Sequence, residues 1–190
     1  SVQHAPVANY ARAPRAFAIS ARANAFLRPS DVQKIERTLL ARDPEPGERF
    51  AHAALLLIFH AGLTFEGVLK GLCRLRVCDV QHDVVHVPRD AAHARWLRVW
   101  LDEPTRQALT PLTLSCPAPT GKRGRPRKPV PLAPLTHLVN GQTEVPDEKA
   151  IVEQRKAINA YLARVCAEAN VPAHPVSAWL PVIRWVQVAG

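Results

Sequence analysis

Apolar residues recur at helical spacing in the first half of the chain. The helix predicted in FLRPSDVQKIERTLLARD takes Ser30 as its N-cap and Asp31 in its first turn. Its apolar positions are Val32, Ile35, Leu39 and Leu40. The next stretch, ERFAHAALLLIFHAGL, is apolar nearly all round, which predicts a central helix. A third, short helix is predicted in TFEGVLKGLCRL.

The clearest helical pattern lies in PDEKAIVEQRKAINAYLARVCAEANV. Pro146 and Asp147 are expected at its start and Asn170 at its end. Its apolar stripe consists of Ile151, Ile158, Leu162 and Val165. Tyr161 flanks this stripe, which predicts a packing role. A further helix start is predicted at DEPTRQAL, ahead of Pro104.

Between these helices the pattern changes to a period of two. RVCDVQHDVVHVP and ARWLRVWL alternate apolar and polar residues, which predicts two or three short antiparallel strands. The tryptophans of the chain could stack on nucleobases, but anchoring in the core is the favoured interpretation. They are Trp96, Trp100, Trp179 and Trp185.

Three histidines lie in or beside the predicted strands: His82, His86 and His93. Metal binding is conceivable there, but no carboxylate or thiol pattern completes a site, so surface or packing roles are favoured. Four cysteines lie far apart, without C-x-x-C or zinc-ribbon spacing. Buried free thiols in a reducing cytoplasm are therefore predicted for Cys73, Cys78, Cys116 and Cys166.

Charge is the feature of composition that narrows the function. The 190 residues include 25 Lys+Arg against 16 Asp+Glu, a net charge of +9. Such an excess favours polyanionic partners, above all nucleic acid. The longest apolar run, residues 51–63, is interrupted by His52 and His60 and falls short of the roughly 18–20 residues that span a bilayer, so no membrane association is predicted.

The chain divides into three kinds of segment. Residues 1–25 are rich in Ala and Arg without a sustained apolar period, which predicts an arm or linker. Residues 26–190 form the predicted domain. Within it, residues 111–134 contain seven prolines, which predicts an extended loop.

The stretch LLLIFHAGLTFEGVLKGLCRLRVCDVQHDVVHVP resembles the catalytic domain of tyrosine recombinases, the phage-integrase-like DNA strand-exchange enzymes. The positions that match are Gly62, Leu63, Glu66, Leu69, Leu72, Leu75 and Asp79. The helix before VPAHPVS is similar to the one that leads into the family's His-x-x-Arg motif. The resemblance implies an α+β fold, mainly helical with a small antiparallel sheet.

The chain departs from this family at the positions that carry the chemistry. The family's first Arg, after Gly-Leu, is Thr64 here, and its second Arg, at the end of His-x-x-Arg, is Ser177, although His174 is kept. The sheet Lys has only Arg89 and Arg95 as stand-ins. Because neither Thr nor Ser neutralises a phosphate, strand cleavage is not expected, and His174 is vestigial.

The nucleophilic tyrosine of the family has no counterpart either. It should lie well beyond the His motif, whereas Tyr10 and Tyr161 both precede it. The resemblance therefore predicts a non-enzymatic protein that needs no cofactor and no metal.

The segment GKRGRPRKP carries five positive side chains and resembles the AT-hook, a motif built around Arg-Gly-Arg-Pro. Gly124 lets the backbone enter a narrow groove and Pro126 favours an extended chain. Arg123 and Arg125 would lie along the floor of an A·T minor groove. Flanking phosphates would be met by Lys122, Arg127 and Lys128. If all five cations were engaged, the log–log salt slope of binding would be roughly −4 to −5.

A basic face near the sheet could add contacts to DNA, although ordinary solvated charge explains it equally well. Its candidates are Arg74, Arg76, Arg89 and Arg95, with Arg98 beside them. The favoured function is a non-catalytic, cytoplasmic DNA-binding protein of a mobile element or its host control, accessory or regulatory to recombination, with A·T-rich duplex as its partner. Two alternatives stay open. One is an active strand-cleaving fragment whose Tyr lies outside this chain. The other is an interaction module that modulates a recombinase or binds a second copy of itself.

Overall fold

The computed structural model describes residues 29–61, 65–90, 92–115 and 128–172. The α-helices in this part are α1 (Pro29–Ala41), α2 (Arg49–Ala61), α3 (Phe65–Cys73), α4 (Glu103–Leu109) and α5 (Glu148–Glu168). The strands β1 (Val84–Pro88) and β2 (Trp96–Trp100) form one antiparallel sheet, and β3 (Leu114–Ser115) and β4 (Val130–Pro131) form another. The predicted mainly helical α+β class, with small antiparallel sheets, is confirmed.

Helix α2 occupies the centre of the core, as its unbroken apolar sequence predicts. Every side chain from Ala51 to Phe59 is buried, including that of His52. The helix packs against α1, α4 and α5. A helix surrounded on several sides needs apolar residues on every face, which explains why this one lacks the usual polar stripe.

Helix α1 confirms the predicted apolar face in part and corrects its start. Val32, Ile35 and Leu39 are buried, whereas Leu40 is 43% exposed. The helix begins at Pro29, so Ser30 lies inside it and is not its N-cap. Proline suits the first helical position, because its φ is already helical and the missing N–H would have no partner there.

Helix α5 confirms the predicted limits and stripe. The Asp147 side chain caps the helix by accepting a hydrogen bond from the N–H of Ala150 at 2.7 Å. Asn170 adopts a left-handed conformation, with φ of 54°, directly after the C-cap Ala169. The buried stripe contains Ile151, Ile158, Leu162 and Val165.

The β1–β2 hairpin has one face in the core, while its other face is exposed along β2 but buried at Val84 and Pro88 of β1. The register pairs Val85 with Val99 and Val87 with Leu97, and these four residues pack into the core beside α3. The opposite face carries Val84, His86, Pro88, Trp96, Arg98 and Trp100. This hairpin has two strands, the lower number of the two or three predicted, because Val77–Asp79 forms a 3₁₀ turn and Val80 makes only an isolated bridge to Val85.

The core role predicted for the tryptophans is wrong for Trp96 and Trp100, which are 56% and 66% exposed. The sheet alternates its side chains, and Leu97 and Val99 occupy the inner positions, so both indoles point outward. Trp179 and Trp185 lie outside the described residues.

The cysteine prediction is confirmed at Cys73 and wrong at Cys78. Cys73 is fully buried, and burial raises the pKa of its thiol to about 12. Cys78 is exposed because it sits in the 3₁₀ turn between α3 and the hairpin. Cys166 is buried in α5, and Cys116 lies outside the described residues.

Tyr161 and His52 form a buried polar pair between α5 and α2. The hydroxyl of Tyr161 lies 2.7 Å from Nδ1 of His52, and both side chains are buried. Burial raises the pKa of Tyr161 to about 12. Burial, followed by the charge of Arg42, lowers the pKa of His52. The pair is neutral at physiological pH, and the packing role predicted for Tyr161 is confirmed.

The depressed pKa of His52 predicts that the protein loses stability on mild acidification. The unfolded chain binds a proton at His52 near pH 6.5, where the folded chain resists protonation. The stabilising effect is therefore complete above about pH 6.5 and declines as the pH falls from there toward the lower folded pKa. Urea titrations at pH 5, 6 and 7 should show a smaller decline in unfolding free energy for His52→Gln than for the unsubstituted protein.

The matched control is Val152→Ala, which truncates an exposed side chain without removing a titratable group and should keep the pH slope of the unsubstituted protein. Some slope should survive in His52→Gln, since burial also lowers the pKa of His93. Equal slopes in the unsubstituted protein and His52→Gln would contradict the assignment.

No helix in the described ranges combines the length and the apolar content needed to cross a membrane.

Candidate nucleic-acid interface

The Pro-rich loop leaves and re-enters the described fold at one place. Leu114 pairs with Pro131 and Ser115 with Val130. The N–H of Leu132 also donates to the carbonyl of Thr113 at 2.9 Å. These contacts hold Ser115 and Val130 side by side. The basic sequence therefore belongs to a segment whose two ends meet at the β3–β4 pair.

The predicted AT-hook residues Lys122, Arg123, Gly124, Arg125, Pro126 and Arg127 lie outside the described residues. Lys128 is described and exposed, next to the start of β4. Its ammonium group is therefore available to an anionic partner at the loop base.

The segment that follows β4 runs alongside the 3₁₀ turn before the hairpin. The N–H of Val77 donates to the carbonyl of Thr136, and the N–H of Cys78 donates to that of Pro134, each at 3.0 Å. Arg76 also forms an antiparallel bridge with His137. The end of the basic loop is thereby connected, through a few residues, to the arginines that follow α3.

Arg76 and His93 lie beside the carboxylate of Asp79, and the charges of Arg74 and His137 act on the His93 ring. We call Arg74, Arg76, His93 and His137 the hairpin-base cluster. Arg76 donates to both oxygens of Asp79, each at 3.3 Å, and this hydrogen bonding raises the pKa of Arg76. Nδ1 of His93 lies 4.0 Å from the same carboxylate. Burial lowers the pKa of His93, and the charges of Arg76, His137 and Arg74 act in the same direction.

Within the cluster, three buried nitrogen atoms have no hydrogen-bond partner in the described part of the chain. They are Nε of Arg74, Nδ1 of His93 and Nε2 of His137. The other ring nitrogen of His137 donates to the carbonyl of Gln142 at 3.1 Å. A buried polar atom without a partner costs about 1–3 kcal/mol, so these three atoms lower the stability of this part of the fold.

The other two predicted arginines lie at the hairpin turn. Arg89 and Arg95 are both exposed, and the N–H of Arg89 donates to the carbonyl of Arg95 at 2.8 Å. Asp90 accepts from the N–H groups of Ala94 and Arg95 and from Nε of Arg95. Arg95 is thereby paired with Asp90, whereas within the described ranges the side chain of Arg89 shows no such ion pair.

The structure therefore separates the predicted basic face into two pairs. Arg74 and Arg76 belong to the hairpin-base cluster, and Arg89 and Arg95 belong to the turn. Sequence reasoning missed His137, which joins the cluster through the long-range bridge to Arg76. No local pattern in the sequence indicates such a pairing.

The three histidines predicted in or beside the strands lie in different surroundings. Nε2 of His82 lies 3.3 Å from a guanidinium nitrogen of Arg106, and the ring of His86 meets that of Trp96 edge-on at 6.1 Å. In the described ranges no group of three His, Cys, Asp or Glu side chains is arranged to hold a metal ion. The family positions Thr64, His174 and Ser177 lie outside the described residues, as does Tyr10.

Neither a protein-family model, nor a curated protein, nor a solved structure matches this chain.

Proposed function

We propose that this chain is a non-catalytic DNA-binding protein of tyrosine-recombinase-like fold, with an accessory or regulatory role in recombination. It holds A·T-rich duplex through the segment Lys122–Lys128. The observation that carries the proposal is the intact Arg-Gly-Arg-Pro sequence inside a loop whose ends are clamped by β3 and β4.

Binding would begin in the minor groove. Arg123 and Arg125 flank Gly124, and the extended chain favoured by Pro126 lets both guanidinium groups follow the groove floor. A·T tracts narrow this groove and concentrate negative potential there, which favours arginine. The clamped loop base supports this mode, because it fixes the two points at which the basic segment joins the described fold.

The hairpin-base cluster supplies a second contact, to the phosphate backbone. Arg74 and Arg76 are both partly exposed, and the N–H groups of their guanidinium groups can donate to a phosphate oxygen. A phosphate oxygen accepts such hydrogen bonds and compensates the excess positive charge. Because the hydrogen bonds of Val77 and Cys78 tie the cluster to the segment after β4, one duplex could touch both places.

The test compares duplex binding of Arg123→Ala/Arg125→Ala with that of the unsubstituted protein. Fluorescence anisotropy with A·T-rich and G·C-rich probes, titrated with salt, should show the affinity for the A·T-rich probe falling about tenfold or more. The preference for A·T over G·C should disappear, because only groove contacts carry it. The log–log salt slope should decrease in magnitude by about 2.

A charge-matched control separates groove binding from general attraction. Lys149→Ala/Lys156→Ala removes two exposed cations of α5 and so produces the same change in net charge. It should leave the A·T preference intact. Unchanged A·T affinity in the arginine variant, or equal losses in both double variants, would contradict the proposal.

A further inference from the structure

The outer face of strand β2 presents two exposed indoles with an arginine between them. We call Trp96, Arg98 and Trp100, together with His86 of β1, the indole face. The indoles are 56% and 66% exposed, although each stands opposite a buried residue of β1, Pro88 or Val84. Large aromatic side chains left this open on a protein surface mark a binding site more often than chance.

The strand geometry spaces the two indoles regularly. Residues 96, 98 and 100 share one face of the strand, so the Cα atoms of the two tryptophans lie about 13 Å apart. The guanidinium of Arg98 lies 4.9 Å from the ring centroid of Trp100, and the ring of His86 meets Trp96 edge-on. Flat ring systems and a cation therefore alternate along a single line.

The charges around this face favour a polyanion. Arg98 is exposed at its centre, and Arg89 and Arg95 are exposed at the hairpin turn beside Trp96. Of the nearby carboxylates, Asp90 accepts hydrogen bonds within the turn and Asp102 caps α4, whereas Asp83 is exposed beside Val84. An apolar face rimmed by cations, in a chain of net charge +9, repels basic partners and attracts phosphate backbones.

Stacking decides which form of nucleic acid fits. An indole stacks on the flat face of a base, and in a duplex both faces of each base are covered by its neighbours. Unpaired bases leave these faces free, and alternating aromatic and basic side chains are the usual platform for them. A duplex, by contrast, offers this face only phosphates and groove edges.

We infer that the indole face is a second nucleic-acid site, which binds single-stranded DNA by stacking bases on Trp96 and Trp100 while Arg98 contacts the backbone. The choice of DNA over RNA rests on the proposed function, whereas the site itself is separate from the basic loop. A protein with both sites would hold a duplex next to a stretch whose strands have been separated.

The test uses a fluorescein-labelled oligodeoxythymidylate of about twelve nucleotides, which cannot form a duplex with itself. Trp96→Ala and Trp100→Ala should each weaken its binding about 5- to 150-fold. Trp96→Phe/Trp100→Phe should retain most of the affinity, since a phenyl ring still stacks. Leu135→Ala, which truncates another exposed apolar side chain, should leave binding unchanged.

Separate arms distinguish this inference from the proposed function. Trp96→Ala and Trp100→Ala should keep the affinity and preference for the A·T-rich duplex. In a protein that carries Arg123→Ala/Arg125→Ala, the same tryptophan substitutions should still weaken single-strand binding. Circular dichroism should show native helix content in all variants, because both indoles are outside the core.

Four outcomes would overturn the inference. Two concern affinity: the unsubstituted protein fails to bind the oligodeoxythymidylate, or Trp96→Ala/Trp100→Ala binds it equally well. The third is that the protein binds oligouridylate in place of the DNA strand. The fourth is that a change in self-association accounts for the effect of the tryptophan substitutions.

Discussion

Replacing Tyr161 by Ala is expected to lower the free energy of unfolding by about 3–5 kcal/mol, the usual cost of truncating a buried aromatic side chain. The side chain is fully buried, in contact with the central helix α2 through His52. Its ring also lies beneath two guanidinium groups, 5.1 Å from that of Arg42 and 5.9 Å from that of Arg164. The substitution would leave a cavity, an unpaired buried imidazole and two displaced cations.

Urea unfolding followed by circular dichroism measures this loss. Tyr161→Phe keeps the ring and removes only the hydroxyl, so it should cost about 1–3 kcal/mol through the unpaired His52. Val152→Ala truncates an exposed side chain of the same helix and should change stability by no more than about 0.5 kcal/mol. If Tyr161→Ala lowered the free energy of unfolding by less than Val152→Ala does, the ring would not be part of the core.

Replacing Gly71 by Ala is expected to destabilise the protein by about 1–3 kcal/mol or more, although alanine is the better helix former by about 1 kcal/mol. A Cβ atom at this position of α3 would lie 2.2 Å from the carbonyl oxygen of Pro88 and 2.9 Å from Cγ1 of Val87. The first of these is a backbone atom that cannot rotate away. The helix and strand β1 would have to move apart, and the hairpin would lose its close packing on the core.

Gly47→Ala is the matched control, because a Cβ atom there meets nothing within 4 Å. Both variants gain the same methyl group, and both limit the unfolded chain in the same way. The difference between their unfolding free energies therefore reports the clash less the helix propensity gained at position 71, and so gives a lower limit on the cost of the clash. If Gly71→Ala were as stable as Gly47→Ala, α3 and β1 would not be in the close contact described above.

The helices could be predicted from sequence because their signals are local. The period of 3.6 residues identified the buried positions of α5, and Asp147 and Asn170 marked its ends. Where one local preference competed with another, prediction failed: Pro29 starts α1 and thereby places Ser30 inside the helix. Leu40 continued the apolar pattern, yet it lies at the edge of the face that the core covers.

The inner face of the hairpin could not be predicted from its own sequence. Strand WLRVW has apolar residues on both faces, so alternation alone does not tell which side meets the core. Packing against α3 decides it, since Gly71 lets β1 approach closely enough for Val85 and Val87 to be buried. The hairpin-base cluster depends on long-range pairing in the same way, and the AT-hook and recombinase assignments stay predictions.

Because β3 and β4 pair at the base of the Pro-rich loop, the stability of the fold depends little on the length of that loop. Closing a flexible loop costs free energy that grows only with the logarithm of its length, so doubling it adds about 0.6 kcal/mol. Ser115 and Val130 would stay paired while the residues between them were lengthened, shortened or replaced. A segment anchored in this way can change its ligand preference by insertion and deletion, at little cost in stability to the described helices.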